Sequence, residues 1–344
     1  MKQIEYRIKE ITDKLYRNLP DEVQHELINI ALGIMDIPRG TMMVENMREM
    51  DVESNQEMKE RFFKLIISTP LKDYISSLTF SEEQISFLKN KKNKRLVTSL
   101  KNQGYILGFY ASRGEIQLFP SGDLITIGID HLWERCKEYR HYGYKFAVWR
   151  NLIKIGNNTP SYYTSFLNAK NSAEFAAICQ SQSLVPIVGF EIASEGSYTI
   201  EQAKKTLENI LSMTYRAFGE ERIFLKGLII QTTLIKSGIN SNREDTPQEI
   251  AEATFDAFSR TILTGTKGIQ IVTGNLPKET VKENLNALFN LNNKRTPWLI
   301  NFSVGRNLEL VALSMWKGRH GKASQVRKCL CDVTRKIMNA SVGK

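Results

Sequence analysis

Residues 184–192 read LVPIVGFEI, residues 225–233 read LKGLIIQTT and residues 268–274 read GIQIVTG. Each is a short, nearly continuous apolar run rich in Val and Ile. A strand with one wet face alternates apolar and polar side chains, whereas runs like these belong to strands covered on both faces, as in parallel sheets packed against helices. Outward from these three, similar runs recur at Gly40–Asn46, Tyr74–Phe80, Ile106–Ser112, Phe146–Ile153 and Trp298–Val304, about eight in all. Between them lie segments of helical spacing: Asn55–Ser68, Leu124–His141, Pro160–Gln182, Ile200–Phe218, Pro247–Thr264, Lys278–Leu288 and Gly321–Asn339. Eight strands alternating with helices predict an α/β fold of the (β/α)8 TIM-barrel type. A dinucleotide-binding sheet is disfavoured, because no GxGxxG follows the first strand.

Helix starts support the alternation. Asp245-Thr246-Pro247-Gln248-Glu249 offers Thr as N-cap, Pro at the first helical position and an acidic first turn, and Thr159-Pro160-Ser161 offers the same Thr-Pro start. Upstream, Ile4, Ile8, Ile11 and Leu15 share one helix face, and a second helix is expected from Pro20 to about Leu32. No linker rich in Gly, Pro or Ser divides the chain. The expected organisation is a single domain, with helical additions over residues 1–37 and the barrel over residues 38–342. The loop Lys236–Thr246, KSGINSNREDT, is long enough to host function.

The 344 residues hold 47 Lys+Arg against 37 Asp+Glu, a net +10, with 42% hydrophobic and 24% charged residues. That balance excludes disordered and collagen-like classes. No apolar run approaches the roughly 18 residues of a membrane span, and the opening MKQIEYRIKEITDKL is amphipathic and contains acids, unlike a signal peptide. The cytosol is the expected address. Cys136, Cys179, Cys329 and Cys331 lack CxxC spacing and read as buried or incidental thiols, so no zinc site or redox role is expected. The densest positive patch is Lys89, Lys91, Lys92, Lys94 and Arg95, which reads as a solvated helix face after Ile85, Phe87 and Leu88. A second basic zone runs from Lys317 to Arg335. Neither carries a zinc-finger, RRM or helix-turn-helix signature, so the charge licenses affinity for polyanions or acidic partners and nothing narrower.

Five stretches narrow the reading further. GYKFAVWRNLIKIGNNTPS (143–161), SLVPIVGFEI (183–192), FLKGLIIQTT (224–233), TKGIQIVTGNLPKETVKENLNAL (266–288) and PWLINFSVGRNLELVALSMWKG (297–318) resemble, in order and spacing, successive strands of the class I fructose-bisphosphate aldolases. The resemblance runs from about Pro38 to Val342. It implies a homotetrameric, cytosolic (β/α)8 barrel that cleaves fructose 1,6-bisphosphate to two triose phosphates through a lysine Schiff base, without metal or other cofactor.

Position by position, the resemblance departs from that chemistry. Where the family carries its Schiff-base lysine in Leu-Leu-Lys-Pro-Asn, this chain reads Ile229-Ile230-Gln231-Thr232-Thr233. The nitrogen lone pair of the Gln231 amide is delocalised into its carbonyl, so it cannot add to a ketone and become a protonated imine. Lys226, an odd number of positions away, is expected to face the helix layer. Lys236 in the following loop is the remaining candidate amine. Glu45 stands where the first-strand Asp is expected, one methylene longer. Tyr110 replaces the third-strand lysine, with Ser112 in place of an acid. Val148 replaces the fourth-strand lysine. Gly189 replaces the first carboxylate of Glu-Pro-Glu, while Glu191 keeps the second. Gly and Val supply no group for proton transfer.

Phosphate recognition divides. Thr273-Gly274-Asn275 and Ser303-Val304-Gly305-Arg306 resemble the phosphate corner after strands seven and eight, and an arginine fork suits phosphate. The opposite phosphate segment is matched only by the shorter, acidic Met47–Ser54, MREMDVES. Arg150 either lines the mouth or pairs with Glu191 as structural glue. Tyr110 and Phe190 are expected to add bulk at the mouth. His25, His131, His141 and His320 show no triad or metal spacing. The leading expectation is a catalytically inactive homologue, a pseudoenzyme kept as a binding or structural module. The alternatives are a divergent lyase acting on fructose 1,6-bisphosphate or a singly phosphorylated sugar, and a polyanion- or actin-binding protein that uses its basic face.

Overall fold

A computed structural model describes residues 19–44, 56–273, 278–292 and 296–342. In chain order the elements are α1 (Asp21–Ile34), β1 (Gly40–Met43), α2 (Gln56–Ile67), β2 (Ile75–Phe80), α3 (Glu82–Lys89), α4 (Lys94–Asn102) and β3 (Ile106–Tyr110). The small strands β4 (Glu115–Gln117) and β5 (Leu124–Thr126) follow, then α5 (Leu132–His141), β6 (Phe146–Ile153), α6 (Tyr162–Ser181), β7 (Val185–Ile192) and α7 (Ile200–Glu220). The chain continues with β8 (Ile229–Thr233), α8 (Pro247–Thr261), β9 (Gly268–Val272), α9 (Lys278–Asn292), β10 (Leu299–Val304), α10 (Arg306–Trp316) and α11 (Ala323–Ala340).

Strands β1, β2, β3, β6, β7, β8, β9 and β10 pair in that order, all parallel, and β10 returns to β1 to close the barrel. The eight apolar runs therefore became the eight barrel strands. The expected helix over Leu124–His141 is corrected. Leu124–Thr126 pairs antiparallel with Glu115–Gln117, and Gly128, at φ +128°, separates that hairpin from the helix proper. Leu225–Gly227 is a 3₁₀ turn rather than strand, because the Gly227 backbone lies against α1, where an added Cβ would sit 2.8 Å from Leu27 Cβ. Lys226 is thus an exposed turn residue and does not face the helix layer from a strand.

Capping chemistry sets the helix starts. Thr246 and Glu249 form a capping box with Pro247 at the first position, as expected, and Thr199 with Gln202 forms another. The Thr159 cap is corrected: Ser161 accepts from the Thr164 N–H, while Thr159 bridges Gly156. The basic patch is also not one helix face. Lys89 ends α3, Lys94 begins α4, and Lys91 and Lys92 lie in the turn between.

Among the described residues, two apolar clusters hold the molecule. The larger fills the layer between strands and helices. The smaller lies inside the barrel, where Leu27, Ile30, Ala31, Ile34 and Met35 from α1 and its end pack on Phe146, Val148, Val185, Ile187 and Ile229. Gly108 makes room for this plug, since a Cβ there would meet Phe146 ring atoms at 2.3–2.4 Å. Asn301 Nδ2 donates to the Ile34 and Arg39 carbonyls, both at 3.1 Å, and Ser76 Oγ donates to Ile34 O at 2.9 Å, so strand side chains fasten the α1 C-terminus. Strand alternation corrects one further expectation. Phe190 belongs to the outer cluster with Val188, opposite in face to Ile187, so it adds no bulk at the mouth. Cys136 and Cys179 are free, buried thiols with sulfurs 4.0 Å apart.

Candidate functional site

A cavity of about 1020 Å³ opens at the C-terminal end of the barrel strands, the face on which this fold builds its sites. Of the residues singled out by sequence, Tyr110, Arg150, Glu191, Thr273, Gly305, Arg306 and Lys236 line it. Val148, Gly189, Gln231 and Ser303 are buried in the strands and absent from that lining. Glu45, Gly274 and the segment Met47–Ser54 lie outside the described residues.

Beneath the mouth, Gln231 is fully buried at the centre of β8, in register with Gly189 on β7 and Gln270 on β9. Its amide donates to Gln270 Oε1 at 3.2 Å, and Gln270 Nε2 in turn donates to Thr41 Oγ1 at 2.6 Å. Thr41 and Ser77 hydroxyls complete the chain at 2.7 Å. Polar side chains from β8, β9, β1 and β2 thus link across one half of the interior, while Val148 and Tyr110 join the apolar plug in the other. Sequence reasoning missed this network. Its signal was a glutamine or hydroxyl inside each otherwise apolar run, at Thr41, Ser77, Gln231 and Gln270.

At the mouth, Arg150 pairs with Glu191 at 2.9 Å, so the two readings of Arg150 merge: it lines the cavity and is tied to its neighbour strand. Asn151, on the same strand, donates to Gly189 O at 3.0 Å and to Ser172 Oγ at 3.1 Å, which locks β6 to β7 and to α6. Arg113 forks onto both Glu82 oxygens at 3.0 and 3.1 Å, and Arg135 reaches Glu82 at 2.7 Å. Tyr198 donates to Ala193 O at 2.6 Å, and burial, with Glu195 nearby, pushes its hydroxyl up to about 12. On the Arg150 and Arg113 sides the wall is therefore built of paired charges.

The corner after β9 and β10 differs. Thr273 N–H donates to Ser303 O at 3.0 Å, which draws the two strand ends together. Arg306 begins α10 directly after Gly305, so the helix's first N–H groups and the guanidinium share one edge of the cavity. Thr273 Oγ1 and Ser303 Oγ are buried and find no hydrogen-bond partner among the described residues. An unmet buried hydroxyl costs about 1–3 kcal/mol, and of the two Thr273 lines the cavity, where a polar guest would relieve that cost. Among the described residues no three His, Cys, Asp or Glu side chains converge as a metal site.

Comparison with known proteins agrees with the geometry. The family model for class-I fructose-bisphosphate aldolase, of the glycolytic type, matches residues 21–344. A fructose-bisphosphate aldolase of Drosophila melanogaster is 34% identical over 316 residues, covering 88% of this chain and 87% of its own length. A cytosolic fructose-bisphosphate aldolase of Arabidopsis thaliana is 32% identical over 295 residues, covering 85% and 75%. Among solved structures, the aldolase of Plasmodium falciparum, in complex with TRAP and a small-molecule inhibitor, superposes with a TM-score of 0.90 at 27% identity, over 95% of this chain and 97% of that one. With a closed eight-stranded barrel and a family match over nearly its whole length, this chain belongs to the class I fructose-bisphosphate aldolase family.

Proposed function

We propose that this chain is a non-cleaving member of its family, a single barrel domain over residues 1–344 that binds small phosphorylated molecules at the corner after β9 and β10. The observation that carries the first half is Gln231, an amide locked into an internal hydrogen-bond chain where an imine-forming amine is required. Val148 and Gly189 remove two further groups that cleavage uses, since neither can move a proton. The second half rests on Arg306, the α10 N-terminus and the unmet hydroxyl of Thr273. Charge-assisted hydrogen bonds contribute about 1.5–3 kcal/mol each, and about 1.4 kcal/mol is tenfold in affinity. Dihydroxyacetone phosphate titrated by calorimetry is therefore expected to bind, and Arg306→Ala is expected to weaken binding at least about tenfold. A coupled cleavage assay with fructose 1,6-bisphosphate is expected to read background. Sustained turnover sinks the non-cleaving reading and favours the divergent lyase, while binding indifferent to Arg306→Ala sinks the phosphate corner.

Two surfaces favour assembly and acidic partners. Phe119, in the loop between β4 and β5, is 92% exposed, and Tyr162 and Tyr163 at the start of α6 are exposed as well. Large aromatics are enriched at interfaces, which supports assembly of several copies, and membership of the family makes a homotetramer the expected one. On the outer layer, Lys91, Lys92, Lys94 and Arg95 form no ion pair among the described residues, whereas Lys89 is held by Glu138 at 2.5 Å. Four uncompensated cations in five positions fit an acidic protein surface, such as a cytoskeletal one, in the cytosol. No described helix is long and apolar enough to cross a membrane. Sedimentation tests both: alone, the expected mass is four times the 39.4 kDa chain, and added poly-glutamate is expected to co-sediment at low salt and separate as salt screens it.

A further inference from the structure

From Gln84 to Gly114 the chain runs without one Asp or Glu. α4 lies within this stretch, and its exposed side is a track of hydrogen-bond donors. An open groove of about 720 Å³ follows it, lined by Lys91, Lys94 and Arg95, the hydroxyls of Thr98 and Ser99 and the amide of Asn102. No residue of that lining is acidic or aromatic. Lys91, Lys92, Lys94 and Arg95 are exposed and form no ion pair among the described residues.

The positive track continues past the end of the helix. Lys101 Nζ donates to Tyr142 O at 2.6 Å, and burial, with Lys145 nearby, holds its ammonium below the ordinary lysine range. Lys72 Nζ donates to Gly104 O at 2.7 Å and is lowered likewise, by burial and by Arg39. The start of α4 is built in the same sense. Its first turn holds Lys94 and Arg95 and no acid, although a helix N-terminus is itself electropositive and disfavours cations. The Asn93 side chain does not cap it, because its amide donates to Phe87 O at 3.1 Å. Lysine, arginine, hydroxyl, amide and helix start are the groups that contact sugar and phosphate in nucleic-acid complexes. α4 spans about 13 Å, the reach of about four phosphates along one strand.

We propose that α4 and the turn before it bind the phosphodiester backbone of a double-stranded nucleic acid, without regard to base sequence. The groove has no aromatic platform on which unstacked bases would lie, which favours a duplex over a single strand. A duplex presents an unbroken row of anions at fixed spacing, and that row suits an unbroken row of donors; the carboxylates of a folded acidic surface are interspersed with other side chains. The proposal rests on the same uncompensated cations as the acidic-partner reading above and goes beyond it by naming phosphate as the anion.

The test is fluorescence anisotropy of the full chain with short labelled duplexes of two unrelated sequences. Both are expected to bind alike and to weaken about a hundredfold between about 50 and 200 mM salt, as release of about four counterions requires. Lys94→Gln with Arg95→Gln is expected to lower the salt slope by about two. Lys328→Gln with Lys336→Gln makes the same charge change on α11 and is expected to alter it little. All four side chains are exposed, and a thermal melt checks that both variants fold. No binding at low salt, a preference for one sequence, or equal losses from the two double variants overturns the proposal. Poly-glutamate that displaces the duplex charge for charge overturns it too and leaves the acidic-protein reading in place, whereas duplex binding without poly-glutamate binding overturns only that other reading.

Discussion

The Gln231→Lys variant is expected to remain at least about 10²–10⁴-fold below an active family member in cleaving fructose 1,6-bisphosphate, the range contributed by one positioned acid–base group. On the non-cleaving reading proposed above, supplying the amine restores one of several groups at which this chain differs from its family. Val148 is packed into the α1 plug beside Phe146 and Ile187, so no lysine reaches the mouth from that strand without displacing the plug. At Gly189 a Cβ would approach Trp149 O at 3.2 Å and Gln231 Oε1 at 3.4 Å, so even the first atom of a restored glutamate is crowded. Position 231 itself is fully buried. A lysine there gives up the bond from Gln231 Nε2 to Gln270 and must carry its charge in the barrel interior, which favours the neutral form. A coupled assay on the variant measures this directly. Turnover within about tenfold of an active relative would show that the amine alone separated this chain from catalysis.

Phe146→Ala is expected to cost about 3–5 kcal/mol of stability, the range for truncating a buried aromatic. The Phe146 ring is fully buried, and its neighbours come from β6, β7, β8 and the α1 helix that closes the bottom of the barrel. Collapse around the void is restricted, because the surrounding atoms belong to a closed strand ladder and to a helix whose last carbonyls are tied to Asn301 and Ser76. The complementary change, Gly108→Val, drives a branched side chain into ring atoms 2.3–2.4 Å from the position of its Cβ, and is expected to destabilise by overpacking. Urea unfolding of both variants gives the measurement. A loss under about 1 kcal/mol for Phe146→Ala would mean that α1 does not act as a plug.

Much of this architecture was legible from residue type alone. Parallel strands buried on both faces announce themselves as Val/Ile runs, and Thr246-Pro247 with Glu249 satisfied the helix-start pattern as read. The errors came where local preference met tertiary demand. Leu124–Thr126 sits beside helix-forming sequence but found a cross-strand partner in Glu115–Gln117. Leu225–Gly227 has strand composition but turns, because Gly227 lies against α1. Phe190 has the bulk of a mouth residue, but one step of strand alternation puts it in the helix layer.

The candidate site followed the same division. The sequence by itself established the family and the absence of an imine-forming side chain at position 231, because identity at a matched position is a property of the chain. Only the tertiary structure decided what those substitutions do: Gln231 joins Gln270, Thr41 and Ser77 across the barrel, Val148 belongs to the plug, and Arg150 is bound to Glu191. The same holds for Lys236, a loop lysine in sequence and a half-buried cavity amine in the fold. The physical reason is that partners 39, 41 and 229 residues apart in the chain meet only when the barrel closes, and closure sets both the hydrogen-bond chain and the desolvation of whatever lines its mouth.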